Sequence, residues 1–261
     1  MNKILKKIFK WFGIAIAIMI IIVLLCLGIL TTPGLFFPED KQYGSITVHS
    51  ELPIGRETDS IMTEIFTRLD AVPIYDPNRK INLSLCSTQD KFSFFSRFTL
   101  RENRIMGFCL FGNAYVNMDF IKELAVKTGG QPKYVTREGS AVHVATHELM
   151  HQYLTDVYGE FASRSLPYWK TEGYCEYGVN QFVAPRDSGY TIQERLDIYL
   201  DYSQWNPTAS THRPHYIWGL MMEYLINVKS MNFEQVMADS VNKEVVYQEM
   251  MTWRESLKDE T

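Results

Sequence analysis

The chain has 261 residues, 46% of them hydrophobic and 21% charged, with a formal net charge of −4. That length is ample for a large core, and the composition excludes a disordered, collagen-like or disulfide-stapled small protein. The averages conceal a partition. Residues 1–30 hold four lysines (Lys3, Lys6, Lys7 and Lys10), no acid and 23 apolar residues, so residues 31–261 keep 22 of the 26 basic groups against all 30 acids, a charge of −8. An acidic remainder of this kind speaks against nucleic-acid binding.

Trp11–Leu30 is 20 residues without a charge or proline, 18 of them apolar. As a helix rising about 1.5 Å per residue it matches the ~30 Å hydrocarbon core of a bilayer. The lysines all precede it, so the basic bias predicts a cytoplasmic N-terminus and an extracytoplasmic remainder. A cleaved secretory signal is the competing reading, but it needs a shorter apolar stretch and an Ala-x-Ala-like site, and none is evident before Pro33. Residues 1–30 thus read as lysines plus anchor, with residues 11–30 the membrane contact. Cys26 lies in that segment. Cys86 and Cys109 sit in strand-like runs and are open to bridging; the alternative is that they and Cys175 are small buried hydrophobes.

Residues 31–44, with Pro33, Gly34 and Pro38, read as a linker, and residues 45–261 as the domain. Ser45–His49 alternates like a strand, and Asp59 or Ser60 is placed to cap a helix running to about Leu69. Lys80–Cys86 alternates again, with Ile81, Leu83 and Leu85 on one face. Phe92, Phe94, Phe95 and Phe98 form an aromatic cluster in a less regular stretch that reads as core or cleft wall. Arg104–Asn117 predicts one or two strands broken at Gly112-Asn113. From about Arg137 the pattern is helical, over 139–157, 168–182, 191–202, 214–228 and 243–257. Strands first and helices second predict an α+β domain with a small mixed sheet lobe (about 45–136) and a helical lobe (about 137–261), not alternating βαβ units.

The chemistry is concentrated in His147-Glu148-Leu-Met-His151. Four residues advance a helix by about 400° and 6 Å, so His147 and His151 project from one face on adjacent turns, where two imidazoles can bind one zinc ion. Glu148 lies beside that face, where a carboxylate can take a proton from a metal-activated water. With six histidines in the chain, chance placement of this pattern on an ordinary core helix is a poor explanation.

A catalytic zinc needs a third protein ligand and a position left for water. Tyr168–Tyr177 supplies the best candidate: Glu172 follows His151 by 21 residues, enough for a second helix to return antiparallel, and Pro167 suits that helix's first turn. Glu176, one turn on, can accept the second ring N–H of a liganding histidine. Asp156 and Glu160 are too near His151 to return across a separate helix. His143, one turn before His147, reads as packing or as support for the ligands. His212 and His215 flank Arg213-Pro214 and could face the cleft. His49 has no evident partner, and Asn82-Leu-Ser84 is a glycosylation sequon.

With HExxH followed by Trp169-Lys-Thr-Glu172-Gly173-Tyr-Cys-Glu176-Tyr177, the chain resembles the gluzincin metallopeptidases (peptidase MA-like), above all the aminopeptidase branch. The resemblance covers about residues 140–225. It implies a zincin-type, thermolysin-like domain, one zinc ion on His147, His151 and Glu172, Glu148 as general base, and a peptide or protein substrate. His215-Tyr216-Ile-Trp-Gly219 resembles the segment whose tyrosine stabilises the oxyanion, which implies that role for Tyr216; on the residues alone Tyr216 reads equally as a packed aromatic. Asn113-Ala114-Tyr115-Val116-Asn117 resembles the edge strand lining the cleft, which implies substrate binding at Asn113 and Ala114. The Gly-x-Met-Glu-Asn segment by which aminopeptidases hold a free amino group is missing from the sequence. The expectation is therefore a membrane-anchored zinc peptidase. A zinc-binding but catalytically silent scaffold or sensor is the alternative.

Overall fold

The computed structural model describes residues 3–97, 105–127, 140–180, 191–201 and 213–258. Its first element is α1 (Lys3–Thr31), and residues Lys7–Thr31 form one helix long and apolar enough to cross a membrane. From Lys7 to Leu25 its side chains stand exposed, and burial sets in at the C-terminal end, where Leu30 is only 4% exposed. There the last carbonyls find partners, as helix ends require. The Thr31 and Thr32 hydroxyls donate to the carbonyls of Leu27 (2.8 Å) and Gly28 (2.6 Å), and Asn113 and Tyr115 of the sheet reach the Leu30 carbonyl.

This corrects the reading of residues 31–44 as a linker. Pro33–Phe36 forms a single 3-10 turn, and Glu39–Tyr43 is a strand, β1, paired with the next one. A short edge strand whose first four residues are charged or polar, with Tyr43 its one residue packed against the core, carries no apolar alternation, so periodicity cannot reveal it.

The remaining strands are β2 (Ile46–Ser50), β3 (Ile81–Cys86), β4 (Gly107–Leu110) and β5 (Asn113–Asn117). They form one mixed sheet in the order β1-β2-β3-β5-β4, with β2, β3 and β5 mutually parallel and β1 and β4 antiparallel to their neighbours. The protein is mixed α+β, as expected, but its N-terminal half is not strands alone. Helix α2 (Arg56–Leu69) carries the chain from β2 to the parallel β3, because parallel neighbours cannot be joined by a hairpin. Phe92, Phe94 and Phe95 stand on a helix, α3 (Gln89–Ser96), capped by Thr88; Phe98 lies outside the described residues. The break between β4 and β5 falls at Phe111-Gly112, a two-residue turn in which both have positive φ (50° and 76°).

Alternation sorts the strand residues between two cores. Ile46, Val48, Leu83, Ala114 and Val116 face the main core. Cys86, Phe108 and Tyr115 face a second, aromatic core with Phe37, Phe92 and Phe95. Cys109 opposes Ala114 and Cys86 opposes Asn117, so the two cysteines point from opposite faces; both are free thiols.

After α4 (Met118–Lys127) come, among the described residues, α5 (Ala141–Tyr158), α6 (Glu160–Ser163), α7 (Tyr168–Asn180), α8 (Ile192–Leu200), α9 (Arg213–Glu223), a π-helical turn over Tyr224–Val228, α10 (Phe233–Met237) and α11 (Lys243–Lys258). Helix α5 is the centre of the domain. Every residue from Val142 to Met150 and from Gln152 to Leu154 is buried, and Ser140 Oγ caps its first turn by accepting from His143 N at 3.1 Å.

Candidate metal centre

Helix α5 turns His147 and His151 toward each other across one turn, with their Nε2 atoms 3.2 Å apart. Helix α7, opening just after Pro167, brings in Glu172, whose Oε2 lies 3.1 Å from His147 Nε2 and 3.5 Å from His151 Nε2. Three donors from two helices therefore meet at one point. A zinc ion with ligands at ~2.0–2.1 Å would require donor separations of about 3.3–3.4 Å in a tetrahedral set, and the observed edges bracket that value. The geometry can hold a metal ion.

Close approach of the helices depends on residues without side chains. A Cβ on Gly173 would lie 2.7 Å from the carbonyl oxygen of Trp218 in α9, and one on Gly219 would lie 2.9 Å from Glu176 Cβ. Only glycine at these two positions lets α9 sit against α7, and the segment it delivers there is the one carrying His215.

Electrostatics favour positive charge at the meeting point. Burial works against the charged form of His147, but Glu172 and Glu176 outweigh it and hold the imidazole well above its usual value. Burial likewise opposes ionisation of Glu172, yet His151 and His147 hold its carboxyl far below the usual carboxylate range. Two carboxylates drawn to one imidazole are a site that a divalent cation would neutralise.

Other donors lie near enough to form overlapping sets: His147 and His151 with Cys175, His143 and His147 with Glu176, and His147 and Glu172 with His215. The first would add the thiol of Cys175, fully buried on α7, to the two histidines. The second uses the other ring nitrogen. Glu176 Oε1 lies 3.0 Å from His147 Nδ1, off the alignment of a strong hydrogen bond, and its carboxylate lies 3.3 Å from His143 Nε2. Glu176 thus lies beside Nδ1 of His147, on the side away from Glu172, and His143 lies beyond Glu176. The i, i+4 spacing of His143, His147 and His151 was the signal for that third histidine.

Glu148 is buried on α5 against β4. A Cβ added to Gly107 would sit 2.8 Å from both Glu148 Cγ and Oε1, and 2.9 Å from Val144 Cγ1. The strand therefore forms a wall against the Glu148 carboxylate, and Gly107 is a site residue that no motif announced.

Of the His215-Tyr216 pair, His215 is the one that meets the cluster. Its Nδ1 is 3.7 Å from Glu172 Oε2, its ring lies parallel to that of His147 with centroids 6.2 Å apart, and Trp218 stacks on it at 5.5 Å. Tyr168 Oη lies 3.4 Å from its Nε2. Burial above all holds His215 below the usual histidine range. The Tyr216 hydroxyl instead donates to the Arg195 carbonyl at 3.4 Å. Adjacent residues on a helix point about 100° apart, so only one of the two could face the centre. His212 lies outside the described residues.

The substrate-binding expectation for Asn113 and Ala114 is corrected by the pairing. β5 is bonded to β3 on one side and β4 on the other, so its backbone is committed and cannot accept a further strand. Ala114 is fully buried, and the Asn113 side chain is spent on the Leu30 and Phe111 carbonyls. β4 lies at the end of the strand order. Asp156 pairs with Arg79 and Glu160 with Arg164, and neither belongs to the donor groups that gather around His147. Asn82 is held in a hydrogen bond to Asn113, so its sequon is engaged in the fold.

No family model matches the chain, and no curated protein matches it.

Proposed function

We propose that the protein is a membrane-anchored zinc metallopeptidase of zincin type, with the domain on the far side of the membrane from the lysines of residues 3–10. The observation that carries the reading is the convergence of His147 Nε2 and His151 Nε2 of α5 with Glu172 Oε2 of α7, within 3.1–3.5 Å of one another and beside the buried Glu148 that follows His147. A zinc ion held by those three would supply Lewis-acid polarisation of a carbonyl and acidify water near neutral pH.

The chain's own residues supply the rest. Glu148, confined between α5 and Gly107, takes the proton of the attacking water and passes it to the leaving amine nitrogen. His215, with its Nδ1 turned toward Glu172, donates a hydrogen bond to the oxygen on which charge develops, the part the resemblance gave to Tyr216. Glu176 orients His147 by drawing the ring proton to Nδ1, leaving Nε2 free to ligate. β4, with Gly107 beside Glu148, is the strand against which an extended peptide would lie.

The test is Glu148→Gln. The variant should bind zinc stoichiometrically and cleave no peptide of a broad library that the wild type cleaves; cleavage at the wild-type rate overturns the mechanism. One observation favours the silent-scaffold reading: His215 forms a set with His147 and Glu172 and so could close the site as a fourth ligand. Substitution of His215 separates the two.

A further inference from the structure

α1 is built into the domain rather than tethered to it. On the sheet face opposite α5, a polar run crosses three strands. His49 Nε2 lies 3.2 Å from Asn82 Oδ1, Asn82 Nδ2 donates to Asn113 Oδ1 at 2.7 Å, and Asn113 Nδ2 donates to the Leu30 carbonyl at 2.7 Å. Tyr115 Oη donates to the same carbonyl at 3.1 Å. Beyond Leu30, Pro33 and Phe37 are buried, and Phe37 stacks on Phe95 with centroids 5.8 Å apart and rings 5° from parallel. Gly34 lies so close to the His49 ring that a Cβ would meet it at 2.8 Å. Residues 30–37 are thus a splint along the sheet, and Leu35, 83% exposed beside the helix end, is the apolar residue left facing outward.

The same strands set a limit on distance. From the Leu30 carbonyl the contacts run through Tyr115 to its cross-strand partner Phe108, then to Gly107 and the Glu148 side chain. With strands ~4.8 Å apart and ~3.3 Å per residue, that path is under about 25 Å. Leu30 ends the apolar run, and a 20-residue uncharged run fills the ~30 Å hydrocarbon core, so Leu30 lies at the bilayer boundary. A rigid seat therefore keeps the centre within about 25 Å of the membrane whatever the tilt of the domain.

We propose that the seat makes the span and the domain one rigid unit, and that the centre acts on extended segments emerging from the same bilayer, the juxtamembrane stretches of other membrane proteins. This rests on reading α1 as a span and the cluster as a metallopeptidase site. A flexible linker would let the domain range over soluble substrates, but a splint of buried side chains does not.

The experiment uses the full-length protein, zinc-loaded, in proteoliposomes. The substrates are synthetic single-span peptides carrying one cleavable sequence, either at the membrane exit or raised on a 40-residue helical spacer of about 60 Å. At equal surface density the exit-placed sequence should be cleaved at least about tenfold faster, because the raised one lies beyond the centre's reach. Equal rates overturn the proposal. A second measurement needs no activity: a fluorophore introduced bio-orthogonally at Phe161, which is 85% exposed, reports the height of the domain by energy transfer to labelled headgroups. A single high-transfer population is expected, broadening in the double variant Asn113→Ala, Tyr115→Phe; a broad population in the wild type overturns the rigid seat. If the wild type cleaves neither these substrates nor any library peptide in detergent, the metallopeptidase reading fails and the substrate class with it. The height measurement still decides the seat.

Discussion

Glu176 Oε1 lies 3.0 Å from His147 Nδ1, and the same carboxylate lies 3.3 Å from His143 Nε2. All three groups are buried. Burial raises the cost of a charged Glu176, yet His143 and His147 hold its carboxyl well below the usual range, which places a carboxylate behind the proposed ligand His147. Such partners fix the tautomer and direction of the imidazole.

Glu176→Gln should therefore weaken zinc binding by about 10–100-fold while leaving stoichiometric loading at high metal, measured by competition with a chromophoric chelator. His143→Ala should move affinity in the same direction by less, because it acts through Glu176. Unchanged affinity in both would mean that the pair serves only packing.

Gly107→Ala places a methyl 2.8 Å from Glu148 Cγ and Oε1. The Glu148 side chain must give way, at a stability cost of about 1–3 kcal/mol. A displacement of ~1 Å at a reacting group costs about 100-fold in rate, so kcat should fall steeply while metal content holds. Calorimetry for stability and zinc analysis beside kinetics check the three readouts separately.

His215→Ala discriminates between the two readings of the site. If His215 acts on the substrate, kcat falls by about 10²–10³ and zinc affinity is retained. If it closes the coordination sphere as a fourth ligand, zinc affinity falls instead.

Glu172→Ala and Cys175→Ala should behave in opposite ways. Glu172 supplies one of the three converging donors, so its loss should abolish stoichiometric zinc at micromolar metal. With Glu172 already supplying the third donor, removal of the fully buried Cys175 should leave zinc affinity unchanged. Elemental analysis after dialysis reads both, and loss of metal in Cys175→Ala would redefine the ligand set.

The parts of this protein that were legible in the sequence are those governed by near neighbours. The helical period put His147 and His151 on one face, and α5, α7 and α11 fall within a few residues of their expected bounds. The break before β5 was visible from Gly112, although the turn takes Phe111 into positive φ as well. Gly107 was not visible, because its importance lies in what crosses above it. The choice of His215 over Tyr216 depends on the rotation of α9 against α7, which the contact of Gly173 with Trp218 sets.

The sequence by itself determined the apolar segment and the residue types at the centre, because charge-free length and i, i+4 spacing are properties of a local stretch. The tertiary structure alone decided that β5 is interior, that residues 31–44 are a seat and a strand rather than a linker, and that Glu172 reaches the two histidines. Each of those depends on strand order, or on packing between segments tens of residues apart. A backbone hydrogen bond in a sheet depends on which strand lies alongside and leaves little trace in the side chains of the strand itself.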